Sequence, residues 1–375
     1  MIFNPKISFI NCLYGLSKEV QFEDGVSMLA GISGVFSYSG ISFKMGRKVL
    51  GFCKNRINTN DVALVICYEL SAIVLGVSGG VTDFAKEYDD DLVNRNLRIG
   101  EVFFATAYTA WHGMLLLDMG HFHETKKLID KLSEINNLYG NYFAGQWKYL
   151  LNIRYLLKIR KLYDALREVD EGIIFSNRID LDDNTVWLFQ FYSLKSRILS
   201  SLMDTNGAEE LLNRMKKDLP KYGVPFHLCP YYLTEFIFYI NKLNRLSNDD
   251  DQSELTETKK KALRTGKKMM DISSKAFFER TEVLKYMGIY FWIIGKQKRA
   301  LKLFGKSIVL GKQIHAKVEL SRTYFEVGFH LLKPESKYKS LNGLTAEKYI
   351  DKARTMFEEM NMNWDLDQLD RLTLK

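Results

Sequence analysis

Proline and cysteine are both scarce in this chain, with five prolines and four cysteines in 375 residues. Few prolines leave room for long uninterrupted helices, because an internal proline removes a backbone donor and clashes with the preceding turn. Cys12, Cys53, Cys67 and Cys229 are scattered, with no C-x-x-C pair. That argues against a disulfide framework or a structural zinc site and sets a reducing, cytoplasmic setting as the expectation. Alternating apolar and polar runs of strand type are scarce. Met1 to Phe9 lacks both a basic start and a long apolar stretch, so no signal peptide is expected. No Ser-His-Asp order, H-E-x-x-H motif or dinucleotide fingerprint occurs. With no activated nucleophile and no paired acid and base in view, the sequence predicts a non-enzyme that needs no cofactor and no metal.

Apolar side chains, by contrast, are plentiful. They make up 46% of the chain, with 24 Phe and 20 Tyr, enough for a continuous core. A length of 375 residues is large for one ordinary domain but natural for a stack of repeated units. The most informative spacing is Gly288, Gly295, Ala300 and Phe304. It matches the middle and end of a tetratricopeptide unit, W-x2-L-G-x2-Y followed by A-x3-F. Gly288 would let two helices approach closely, and Gly295 would supply a left-handed turn. Ala300 and Phe304 would face inward, with Leu284, Met287 and Phe291 in the other apolar slots.

Further copies can be placed along the chain. Ser33, Gly40, Met45, Val49 and Phe52 form one, with Met28 and Phe36 beside them. Trp111, Gly113, Leu116, Gly120, Thr125, Ile129 and Leu132 form another. Ala165 and Val169 mark a second helix after Trp147 to Ile159. Ser196, Ala208 and Leu212 mark a pair joined by a turn at Asp204 to Gly207. Tyr324, Val327, Gly328, Leu331, Tyr349, Ala353 and Phe357 form the last, its turn enlarged by Pro334 to Leu344. The predicted architecture is all-α, a right-handed α-α superhelix of antiparallel helix pairs over residues 24–375, with a capping segment at 1–23. A break is possible at the polar, acidic stretch 247–254, and Asp89 to Asp91 reads as a second acidic turn.

The net charge of +8 is concentrated. Thirteen Lys or Arg and four acidic residues lie between Thr256 and Lys302, which leaves the remainder near neutral. Lys260, Arg264, Lys267 and Lys268 recur at helical spacing as a basic stripe. A solvated outer face is the plain reading; an acidic partner or nucleic acid is the functional one. The apolar window Val62 to Val81 approaches bilayer-spanning length. Glu69 and the glycines Gly76, Gly79 and Gly80 favour a buried helix followed by a turn, so no membrane association is expected.

Two features imitate chemistry. Ala300, Gly305, Lys306 and Ser307 satisfy a relaxed phosphate-loop pattern. That loop requires a strand before it and free backbone N–H groups, whereas Ala300, Phe304 and Ile308 continue one helical face. His121 and His123, with His112 a helix earlier, are read as turn histidines rather than metal ligands. His227, His315 and His330 have no partner at a recognisable spacing.

Projecting first-helix positions inward nominates Gln190, Arg197, Glu282, Lys285, Trp292, Arg322 and Phe329 as the lining of a concave groove. Aromatic and arginine side chains are the usual anchors of a protein interface. A protein or peptide partner is therefore expected.

Three segments carry a family resemblance: Asp90-Asp91-Leu92-Val93 with Ile99-Gly100-Glu101; Glu319 to Tyr324 with Glu326, Val327 and Gly328; and Ala353-Arg354, Met356 to Met360 with Asp365-Leu366. They resemble the C-terminal helical-repeat region of bacterial multidomain signalling proteins that carry a nucleotide cyclase or kinase and an AAA/STAND ATPase module. The likeness spans about residues 24 to 372, and the chain has neither catalytic domain. It implies a role in signal transduction, either as a free-standing scaffold or as a detached regulatory region of a cyclase or ATPase.

Overall fold

The computed structural model describes residues 22–80, 86–179, 184–217, 219, 223–246 and 252–373. Most of the expected capping segment and the centre of the possible break, 247–251, lie outside these. Among the described residues there are seventeen α-helices: α1 (Phe22–Tyr38), α2 (Phe43–Cys53), α3 (Val62–Gly79), α4 (Asp90–Arg98), α5 (Val102–Asp118), α6 (Phe122–Tyr139), α7 (Tyr142–Lys158), α8 (Leu162–Asn177), α9 (Asn184–Ser201), α10 (Thr205–Lys217), α11 (Pro225–Arg245), α12 (Gln252–Ile272), α13 (Arg280–Ile293), α14 (Gln297–Gln313), α15 (Lys317–Leu332), α16 (Ala346–Glu359) and α17 (Asn363–Thr373). A 3-10 turn, Phe277–Glu279, precedes α13. The enlarged last turn holds a small antiparallel hairpin, β1 (Ser340–Leu341) with β2 (Leu344–Thr345). The chain is all-α.

Neighbouring helices pack as hairpins, and each first helix also packs on the first helix of the next pair. The α13–α14 hairpin follows the expected sterics. A Cβ on Gly288 would stand 2.5 Å from Phe304, so only glycine permits this approach. Gly295 has φ 75, and Ala300 and Phe304 are fully buried. The helix end is a Schellman turn: Gly295 N–H donates to the Trp292 carbonyl at 2.9 Å and Lys296 N–H to the Phe291 carbonyl at 2.8 Å.

The same turn closes α5 at Gly120 and α4 at Gly100. It also closes α7, α9, α14 and α16 without glycine, at Arg160 (φ 61), Met203 (φ 70), His315 (φ 56) and Asn361 (φ 54). A left-handed non-glycine residue costs roughly 1–2 kcal/mol. Hairpin packing sets these turns more than the residue at the turn does.

Several expectations shift. In α2 the buried face is Gly46, Leu50 and Cys53, while Met45 and Phe52 are exposed. The reason is one extra loop residue: α2 begins three residues after Gly40, whereas α14 begins two after Gly295. Asp89 to Asp91 is a helix start rather than a free turn. The Asp89 side chain caps α4 by accepting from Leu92 N–H at 3.0 Å. Gly207 lies inside α10, whose start is held by Asp204 accepting from Gly207 N–H at 2.9 Å. Gln252 to Glu254 open α12.

α3 is long and apolar enough to cross a bilayer by length and composition, yet 78% of its apolar window is buried inside the fold. Its single carboxylate, Glu69, is buried and pairs with Lys86.

The first and last thirds of the chain touch. α5 packs on α15, and α3 packs on the 3-10 turn before α13. Gly120 faces Met360 and Val318, and Gly80 faces Phe277 and Ile314. Phe226 at the start of α11 sits among Tyr38, Trp111, Trp147 and Phe278, with ring centroids 4.9–5.9 Å away. One apolar core consequently runs from Ile73 to Leu369.

Candidate functional site

Four of the seven residues projected into a groove do face inward, but against other parts of this chain. α5, α7, α9, α13, α15 and α17 each contribute charged side chains to one buried cluster. Lys158 Nζ lies 2.7 Å from Glu319 Oε1, 3.7 Å from Glu282 and 3.8 Å from Asp118. Lys285 Nζ takes the other Glu319 oxygen at 2.7 Å. Arg197 pairs with Glu282, and Arg154 with Glu279 at 2.8 Å. Arg322 grips Asp365 through Nε and Nη2, both at 2.9 Å, and also donates to the Lys158 carbonyl at 2.6 Å.

Glu319 is 2% exposed, Lys285 3% and Arg322 6%. The cluster is largely buried, with its cations and carboxylates paired to one another. Burial alone would raise the Glu319 carboxyl, but Lys158, Lys285 and Arg322 together hold it well below the usual carboxylate range. Burial likewise opposes the Lys158 ammonium, yet Glu319, Glu282 and Asp118 outweigh it and raise its pKa. Asp118 goes the other way. Burial dominates over the help from Lys158 and Arg154, and its carboxyl is pushed up to about 7.

Gln190 is buried too, its Nε2 donating to His227 Nδ1 at 2.8 Å. Trp292 stacks on the buried His330 ring, centroids 4.7 Å apart. Phe329 is half-buried and stacks on Phe325 at 6.2 Å. Six of the seven are thus engaged with other parts of the fold, and none of the seven lines either of the two concavities described below.

The basic stripe is a true outer face: Lys260, Arg264, Lys267 and Lys268 are exposed, opposite Thr258, Ala262, Thr265 and Met269. The phosphate-loop look-alike lies in the middle of α14, where Ser307 is buried and donates to the Thr281 carbonyl at 2.9 Å. Its N–H groups are committed to the helix. Among the described residues no group of His, Cys, Asp and Glu is arranged to hold a metal.

A larger accessible concavity lies elsewhere. A cleft of about 1010 Å³ separates α5 and α6 from the turn between α14 and α15, with Lys86 to Asp90 along one side. Its apolar wall is Leu115, Leu116, Met119, Leu128 and Ile314. Its rim carries Glu87, Asp90, Glu124, Asp130 and Glu134 against Lys86, Lys127 and Lys131. Two of those lysines are engaged within the fold. Lys86 pairs with Glu69, and Lys131 lies 2.8 Å from Asn94 and 3.2 Å from Glu134. Some of the acids are engaged too, Asp130 with Lys126 and Glu134 with Lys131, which leaves the rim a modest acidic excess.

His112 closes the inner end of the cleft, its ring centroid 4.5 Å from Tyr108 and 5.5 Å from Tyr88. It is 2% exposed, its Nε2 has no hydrogen-bond partner, and burial lowers its pKa to about 4. It is thus a neutral imidazole with an unmet polar atom. The sequence reading groups His112 with the turn histidines His121 and His123, whereas it lies buried within α5. The cleft itself left no sequence signal, because Ile314 and His315 reach it from about two hundred residues away.

No protein-family model matches this chain, and a search of curated proteins finds no match.

Proposed function

We propose that this protein is a non-enzymatic, cytoplasmic helical-hairpin scaffold that binds a short segment of a partner protein in the cleft between α5, α6 and the α14–α15 turn. The cleft carries the reading. Its size is right for a few side chains of a helix or extended peptide, its apolar wall supplies contact area, and its rim sets orientation. The acidic excess at the rim selects a partner segment in which Lys or Arg flanks bulky apolar residues. A regulatory role beside a nucleotide cyclase or ATPase accords with the family resemblance and requires no chemistry from this chain.

A displayed random-peptide library, selected on the wild-type protein and on Leu116→Asp, tests the reading. Enrichment of basic-apolar peptides that Leu116→Asp fails to hold supports it. Peptides that bind both proteins equally, or no enrichment at all, rule the cleft out as the docking site.

A further inference from the structure

At the start of α14, opposite in character to the acidic cleft, the surface forms a concavity of about 570 Å³ lined by Gly295, Lys296, Gln297, Lys298, Arg299, Lys302, Lys337 and Tyr338. Five of these side chains are cationic, all five are exposed, and no carboxylate lines the site. Like charges brought together repel, and proteins normally intersperse them with acids. Here contacts of the fold place at least two of the five, Lys337 and Arg299.

Gln297 is 8% exposed and clamps the loop after α15. Its Nε2 donates to the Glu335 carbonyl at 2.9 Å, and its Oε1 accepts from Lys337 N–H at 2.9 Å. That clamp carries Lys337 to the helix start from forty residues away. The Arg299 guanidinium lies 3.9 Å from the centre of the Phe291 ring, which fixes its position. The N-terminus of α14 has no side-chain cap, so the positive end of the helix dipole adds to the same field.

We infer that this concavity binds a compact small molecule bearing two or more clustered phosphates. Five cationic residues around one concavity match several negative charges placed close together. A local surface depression of this volume can take a small anion, whereas a nucleic acid would be followed along an extended track. The inference is independent of the partner-binding cleft, which shares no residue with it.

Isothermal titration of the full chain with inorganic phosphate, pyrophosphate and tripolyphosphate at low ionic strength tests it. Affinity should rise steeply along that series and fall with added salt. Lys298→Glu with Lys302→Glu should weaken tripolyphosphate by about a hundredfold, roughly tenfold for each charge-assisted hydrogen bond removed. Lys306→Glu, one turn further along the helix and outside the concavity, acts only through the long-range field and should weaken binding at least about tenfold less than the double variant does. ATP binding more tightly than tripolyphosphate would identify a nucleotide as the ligand type; equal affinity would identify the phosphates alone. Equal loss in Lys306→Glu, no binding of any polyphosphate, or tighter binding of duplex DNA that the double variant leaves intact would each overturn the proposal.

Discussion

Two collections of charge in this protein have opposite fates. Inside, Arg154, Lys158, Arg197, Lys285 and Arg322 are matched by Asp118, Glu279, Glu282, Glu319 and Asp365 and removed from water. At the start of α14, Lys296, Lys298, Arg299, Lys302 and Lys337 gather with no acid among them and face solvent. The side chains are of the same kinds. What differs is whether the winding of the chain brings a carboxylate opposite. A buried ion cluster is costly to assemble and more costly to break, so the inner cluster fixes how distant hairpins meet. An unmatched outer cluster costs little in water and remains free to bind. Charge count along a sequence says nothing about which of the two roles a lysine takes.

The comparison breaks most sharply at Glu319. Glu319→Gln leaves Lys158 and Lys285 buried beside a neutral amide, and denaturant unfolding should show a loss of about 3–5 kcal/mol. A loss below about 1 kcal/mol would mean that the cluster is wet and the two regions are alike.

The pH response sharpens it next. His112, His227 and His330 are buried neutral, the first lowered to about 4 and the other two to about 3, in each case chiefly by burial. In the unfolded chain they take up protons near 6.5. The unfolded state therefore binds more protons as pH falls below 6.5, and each histidine should remove about 1 kcal/mol of stability per pH unit. Asp118, raised to about 7, acts in the opposite sense: its destabilising contribution grows from about pH 4 and levels off above 7. Unfolding midpoints should drop on acidification from pH 6.5 to 5.5, and less so in His330→Phe. An unchanged slope in that variant would remove His330 from the account.

Smaller effects test the turns and the outer cations. Met203→Gly relieves a left-handed residue and should raise stability by up to about 1 kcal/mol; a loss would show that the side chain, not the turn, matters there. Lys302→Glu should change unfolding by less than about 0.5 kcal/mol. A larger change would mean that the outer cluster is structural after all.

Much of the local architecture was legible in the sequence. Gly288 and Gly295 report a close approach and a left-handed turn because sterics leave few substitutes. Ala300, Phe304, Ile129 and Leu132 report buried faces through their periodicity. The turns at Arg160, Met203, His315 and Asn361 were not legible, since no glycine marks them. The face of α2 slipped by one residue because a single extra loop residue rotates it by about 100°. Of the candidate site, the inward direction of Arg197, Glu282, Lys285 and Arg322 could be read; what they would meet there could not.

By itself, then, the sequence determined helices, their apolar stripes and the order of the hairpins, all set by interactions a few residues apart. Tertiary structure alone decided that α5 meets α15, that Lys158 finds Glu319 across 161 residues, and that an acidic cleft and a cationic concavity remain on the surface. Periodicity records which side of a helix avoids water. It does not record which distant helix will cover that side, because small rotations at each turn accumulate over successive hairpins before α5 and α15 meet.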